Sequence, residues 1–176
     1  MKKFILYTIL AFLTQSATAK IWLVDNNANS PVPISNVQVA IDSANAGDTI
    51  MVTGSATPYP NFAITKPLSV IGEGSNTSTG LVTNVHLVDI QNSEVSFTGF
   101  VVYELTLRGD NAPNDSLYDI SIERCLINKR LIIKGKNATG GSYANLKNVN
   151  VRNNIFNGNF NAPFGVWGSY ISLGWG

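Results

Sequence analysis

Asp110, Asp115 and Asp119 gather in one short stretch around Pro113. Grouped carboxylates are hard-cation chemistry, since calcium takes several oxygen ligands at once. Their spacing is not that of an EF-hand loop, and Asx turn formation explains the same residues without a ligand. A paired-carboxylate glycosidase site needs two acids on one face. Glu123 instead aligns with Arg152 one repeat later, a surface pair of little energetic weight. His86 and Cys125 are each the sole residue of their type, which argues against a metal site. Cys125 sits in "ISIERCLIN", where a thiol acts as a small buried hydrophobe. Arg124, Lys129, Arg130, Lys134 and Lys136 form a basic run that suits either an anionic polymer or a solvated face. Tyr103, Trp167, Tyr170 and Trp175 have the ring faces to stack on sugars. The last three crowd the C-terminus, where they equally fit the core of an unfinished coil. The expectation over residues 20–176 is therefore no catalytic residue, no metal and no cofactor.

Which elements position these side chains depends first on what is retained. Met1-Lys2-Lys3, an apolar run from Phe4 to Leu13, and Ala17-Thr18-Ala19 have the order of a signal peptide cleaved after Ala19. Ten residues at about 1.5 Å each cannot cross an apolar core of about 30 Å. Residues 1–19 are thus expected to be a leader, and 20–176 a secreted or cell-surface domain. From Lys20 onward ten basic residues face eleven acidic ones, a balance without the electrostatic footprint of a nucleic-acid binder. No later segment reads as a transmembrane span. The 157 residues that follow the leader suffice for one domain with a real core. With one cysteine, no internal disulfide supports it.

The text changes abruptly at "NAGDTIMVTG" (45–54). Before it, Ser35-Asn36-Val37-Gln38 fits a capping box, and Val37, Ala40, Ile41 and Ala44 make one apolar stripe. A helix from about Asn36 to Ala46 is expected, ended by a left-handed Gly47. After it, Ile50 and Val52 alternate as strand residues pointing one way.

Strands then recur. "EVSFTGFVVYELTLRG" (94–109), "DISIERCLINKRLIIKG" (119–135) and "NVNVRNNIFNGNF" (148–160) share one template. Apolar residues fall at the same places: Val95, Phe97 and Val102; Ile120, Ile122 and Ile127; Val149, Val151 and Phe156. Phe100, Cys125 and Asn154 share another place, and Leu105, Leu131 and Phe160 a later one. "LSVIGEG" (68–74) resembles an earlier copy. Starts at 68, 95, 120 and 149 lie 27, 25 and 29 apart, periods typical of a solenoid. The irregularity falls in polar loops, 110–115 and 136–145. The 21 asparagines, seven of them between Asn148 and Asn161, suit stacked turns with side-chain ladders. The predicted fold is all-β, a right-handed parallel β-helix with a short N-terminal capping helix.

"NVQVAIDSANAGDTIMVTGSATPYPNFAITKPLSVIGEG" resembles the N-terminal segment of pectin-lyase-like right-handed parallel β-helix proteins. Gly47-Asp48-Thr49-Ile50 and Lys66-Pro67-Leu68-Ser69-Val70-Ile71-Gly72-Glu73-Gly74 carry the likeness. It implies export, extracellular polysaccharide or cell-surface partners, and a helix that plugs the first rung. Many such proteins are polysaccharide lyases, with calcium and an Arg or Lys base, or glycoside hydrolases. The hydrolases' Asn-Thr-Asp, Asp-Asp, Gly-His-Gly and Arg-Ile-Lys set is absent here, and His86 lies in "NVHLVD". The expected role is noncatalytic: structural, adhesive or carbohydrate-binding. The alternative is the N-terminal part of a lyase or hydrolase, with calcium as cofactor and its catalytic rungs elsewhere.

A further copy is due near 174–178, and "SYISLGWG" still reads as strand. Ile171 and Leu173 alternate as inward residues should, and no charged edge or polar helix follows as a cap. The expectation is an N-terminal fragment whose remaining rungs belong to the same longer chain, or an end that pairs with something else; alone, it should leave Trp175 exposed and self-associate through that edge.

Overall fold

The computed structural model of the chain describes residues 18–74, 80–109, 116–134, 145–157 and 171–174. Among the described residues there are twelve strands and one helix. They are β1 (Ile21–Val24), α1 (Val37–Ser43), β2 (Thr49–Val52), β3 (Phe62–Ile64), β4 (Ser69–Gly72) and β5 (Asn84–Ile90). There follow β6 (Val95–Thr98), β7 (Val101–Arg108), β8 (Ser116–Glu123), β9 (Leu126–Lys134), β10 (Asn145–Arg152), β11 (Ile155–Phe156) and β12 (Ile171–Gly174). One sheet, here sheet A, has the order β1-β2-β4-β6-β8-β10-β12, and the other, sheet B, the order β11-β9-β7-β5-β3. All strand pairs are parallel. From β2 onward the chain visits the two sheets in turn, so the fold is a parallel β-solenoid.

The repeat template is a stack of inward side chains. Val95, Ile120 and Val149 are partners in successive turns, as are Phe97, Ile122 and Val151. Val102 pairs with Ile127, and Leu105 with Leu131. Phe156 pairs with Ile127. "LSVIGEG" joins them, because Val70 pairs with Phe97. The stack also extends further back than the repeats alone suggest, through Ile50 on Val70 and Trp22 on Ile50. One continuous apolar core results, running from Val24 to Val151. Parallel pairing forces this pattern: a one-residue slip would turn every inward side chain outward.

Sheet A strands bend at both ends through left-handed residues stacked in register. One corner carries Glu94, Asp119 and Asn148 at φ 56°, 54° and 53°, and the other carries Gly99, Arg124 and Asn153 at 76°, 52° and 55°. Asp and Asn tolerate this region better than most residues, which accounts for part of the asparagine excess. The turns also ladder: Asn148 Nδ2 donates to Asp119 Oδ1 at 2.8 Å, and Asn157 Nδ2 to Asn128 Oδ1 at 3.1 Å. Because β8 and β10 begin before the first corner, they are longer than the template copies. Their leading residues Leu117 and Leu146 are buried partners.

Between turns, the backbone approaches closely at Gly72 and Gly99. A Cβ on Gly72 would meet the Gly99 carbonyl oxygen at 2.5 Å, and one on Gly99 would meet that of Gly72 at 2.6 Å. This contact lets Phe100 lie stacked on Phe97, with ring centroids 4.5 Å apart. Cys125 lies in register between Phe100 and Asn154: Leu126 N donates to Phe100 O, and Cys125 N donates to Asn154 Oδ1.

The N-terminal end is closed by α1, whose Val37, Ala40 and Ile41 are buried and which packs against β1, β2 and β3. Two expectations need correction. Asn36, not Ser35, caps the helix, its Oδ1 accepting from Gln38 N at 2.8 Å. Gln38 does not reach back to complete a capping box. Its Oε1 accepts from Ala63 N at 2.8 Å and its Nε2 donates to Ala63 O at 3.4 Å, pairing β3 as another strand would. Nor does Gly47 end the helix. The Asn45 N–H that would continue it is taken by Asp48 Oδ2 at 2.9 Å. The Lys66 ammonium takes the carbonyls of Ile41, Asp42 and Ala44 at 2.8–3.0 Å, a cation where the helix dipole favours one. Gly47, at φ 87°, forms the turn into β2.

The other end of sheet A continues the register, with Ile171 paired to Val149 and Leu173 to Val151. Except for Thr18 and Ala19, the leader lies outside the described residues, as do loop 110–115 and residues 136–144. No described helix is long and apolar enough to cross a membrane.

Candidate functional site

The most chemically varied surface is the outer face of sheet B. His86 on β5 and Tyr103 on β7 are stacked, with ring centroids 4.5 Å apart and planes inclined by 18°. On the other side of Tyr103, Lys129 Nζ lies 4.9 Å from its ring centroid, close enough for a cation–π attraction. The three form a ladder across three consecutive strands of sheet B.

A register break makes it possible. Val102 pairs with Ile127 but Glu104 pairs with Arg130, so β9 carries one extra residue opposite Tyr103. Bulges of this kind re-aim side chains, and here the extra residue falls at Asn128-Lys129. Just beyond it, Arg130 binds Glu104 through Nε and an NH2 group, both 2.7 Å from Oε2. Arg108 and Asp89 form a looser ion pair at 3.6 Å. His86 stacks on the Tyr103 ring and the Lys129 ammonium lies near it, so the ladder offers the ring edge and hydroxyl, the imidazole and the Lys129 ammonium.

Away from this face, Glu123, Asp25 and Asp48 are held by scaffold hydrogen bonds. Arg152 binds Glu123 at 2.8 Å, as the repeat alignment implies, and Ser121 Oγ donates to Glu123 at 2.6 Å. The Ser121 and Arg152 hydrogen bonds hold the Glu123 carboxyl below its usual range. Asp25 is held down at about 2, chiefly by the Asn27 backbone N–H and then by the Ser30 hydroxyl. Asp48 is lowered by the backbone N–H of Lys20, the Trp22 indole and the Asn45 N–H. A general acid for glycoside cleavage needs the opposite shift. Burial pushes the Cys125 thiol up to about 11, so it stays protonated, with Sγ donating to Glu123 O at 3.2 Å.

Of the expected sugar-stacking residues, Tyr103 belongs to the ladder, while Trp167, Tyr170 and Trp175 lie outside the described residues. So do Asp110 and Asp115. Asp119 lies at a corner, bonded to Asn148. From the basic run, Lys129 and Arg130 reach this face, whereas Arg124 occupies a corner. Among the described residues no three of His, Cys, Asp and Glu come together as a metal-binding group. His86 and Lys129 were not read from sequence as partners of Tyr103. Residues between β4 and β5 displace His86 from the template, and the bulge shifts Lys129 by one place. No family model, curated protein or solved structure matches this chain.

Proposed function

We propose that the chain is a secreted or cell-surface β-helix module, pectin-lyase-like in its N-terminal segment. Its role is noncatalytic: it binds an acidic extracellular polysaccharide along the outer face of sheet B. The His86–Tyr103–Lys129 ladder carries this reading. A phenol edge, an imidazole and an ammonium, repeated at strand spacing of about 4.8 Å, suit the hydroxyls and carboxylates of a uronate chain laid across the turns. The downward-held carboxylates of Asp25, Asp48 and Glu123 support a scaffold more than an acid–base pair.

Titration calorimetry with polygalacturonate and with a neutral glucan tests this. Binding of the acidic polymer alone, weakened in Tyr103→Ala and by added salt, is the expected result. Equal binding of both polymers, or none, refutes it. Calcium-dependent growth of unsaturated-product absorbance would instead favour the lyase alternative.

A further inference from the structure

Asp48 is almost completely buried, 2% exposed, at the junction of the helix exit, β1 and β2. Its Oδ1 accepts from the backbone nitrogen of Lys20 at 2.8 Å. Its Oδ2 accepts from Trp22 Nε1 at 3.0 Å and Asn45 N at 2.9 Å. Lys20 is also where the parallel ladder begins, its carbonyl accepting from Thr49 N at 2.9 Å. The Lys20 side-chain ammonium lies over the Trp22 ring, 3.5 Å from its centroid. Thr18 and Ala19, immediately before it, are exposed. The wall of the solenoid therefore starts at the residue that follows the Ala17-Thr18-Ala19 signature.

We infer that the Ala19–Lys20 bond is a processing site, and that Asp48 is the built receptor for the α-ammonium the cut creates. This rests on the export reading above. Hydrolysis by a signal peptidase adds water across the amide. The hydroxyl joins the Ala19 carbonyl carbon, the C–N bond breaks, and the Lys20 nitrogen keeps its hydrogen, gains the second from water and takes a third proton from solvent. The nitrogen already stands within hydrogen-bond distance of Oδ1. Processing thus replaces a neutral N–H donor with a full positive charge at a buried carboxylate, and charge-assisted hydrogen bonds are the stronger kind. Cleavage then fastens β1 to β2 more firmly than in the precursor.

The pH dependence follows from linkage. An α-amino group titrates at about 7.7–8.0 in an unfolded chain, and Asp48 raises that value in the folded one. The added stability is complete below about pH 7.5 and is lost as pH rises through the folded value. The other charged groups around this junction are the Lys20 side chain, Lys66 on the carbonyls of Ile41, Asp42 and Ala44, and Asp42, bonded to Gln38. His86, the sole histidine, is on sheet B.

The test compares melting temperatures from pH 6 to 9.5 for the chain starting at Lys20 with a free amine, the same chain Nα-acetylated, and a chain starting at Thr14. The free-amine form is expected to melt several degrees higher at pH 6–7.5, with the gap closing toward pH 9.5. The acetylated form, which keeps the N–H and lacks the charge, should follow the Thr14 chain. In Asp48→Asn the free-amine and Thr14 chains should give parallel curves. Parallel curves for all three wild-type forms overturn the receptor. N-terminal sequencing of the exported protein tests the cut separately: Lys20 first supports it, and another first residue overturns it. An uncleaved chain retained in the cell overturns the export reading as well.

Discussion

Sheet A and sheet B are built from the same turns yet present different outer faces. Along sheet A, Thr49, Ser69, Ser96, Ser121 and Asn150 form one register row of small polar residues. A second row runs Leu23, Met51 and Ile71, then Thr98, Glu123 and Arg152. Sheet B adds the His86–Tyr103 ring stack and the Lys129 ammonium beside it, and among the described strand pairs it alone breaks register, opposite Tyr103. An unbroken parallel stack constrains every turn to the same spacing and favours plain side-chain rows. Chemical variety enters where one strand gains a residue.

If sheet A is the spine, inward substitutions there should have the largest effect. Phe97 is fully buried and lies against Phe62 and Phe100, so Phe97→Ala should cost about 3–5 kcal/mol in urea unfolding. A loss under about 1 kcal/mol would deny sheet A that role. Next is Gly72→Ala, where the new methyl meets the Gly99 carbonyl oxygen at 2.5 Å and the Phe100 ring at 3.0 Å. Overpacking of this kind costs about 1–3 kcal/mol, and a neutral result would show that the turns can separate there.

The leading end of sheet A should also set the acid response. Asp25 has a folded pKa of about 2 against an ordinary 3.8. Its stabilising contribution is therefore present above about pH 4 and lost as pH falls through about 2. Asp25→Asn should flatten the melting curve against pH across that window, and an unchanged acid limb would remove Asp25 from the account. The smallest effect belongs to sheet B's face. Tyr103 is 40% exposed, so Tyr103→Ala should shift stability by about 1 kcal/mol or less, separating its proposed binding role from any role in folding.

The spine was legible in the sequence because its inward rows are apolar, mostly β-branched, and repeat in phase, from Val70 through Phe97 and Ile122 to Val151. Solenoid pairing makes register a direct reading of that repetition. The helix was legible as a stripe, but its ends were not. Asn36 rather than Ser35 takes the cap, and Asp48 takes the Asn45 N–H from three residues on. Ala63 and Lys66 act through contacts 22 to 25 residues away that no local capping pattern contains. The sheet B ladder was the least legible part. Tyr103 was picked out for its ring alone, since its partners His86 and Lys129 become neighbours only through one insertion and one bulge.

The central claim, that binding belongs to sheet B and not to the spine, is tested most directly by matched charge reversals. Lys129→Glu alters the ladder, and Lys147→Glu makes the same change at an exposed residue of β10, a sheet A strand. Polygalacturonate affinity should fall at least about tenfold, or about 1.4 kcal/mol, in Lys129→Glu and stay near wild type in Lys147→Glu. Equal losses in both variants, or a loss only in Lys147→Glu, would contradict the assignment of function to sheet B.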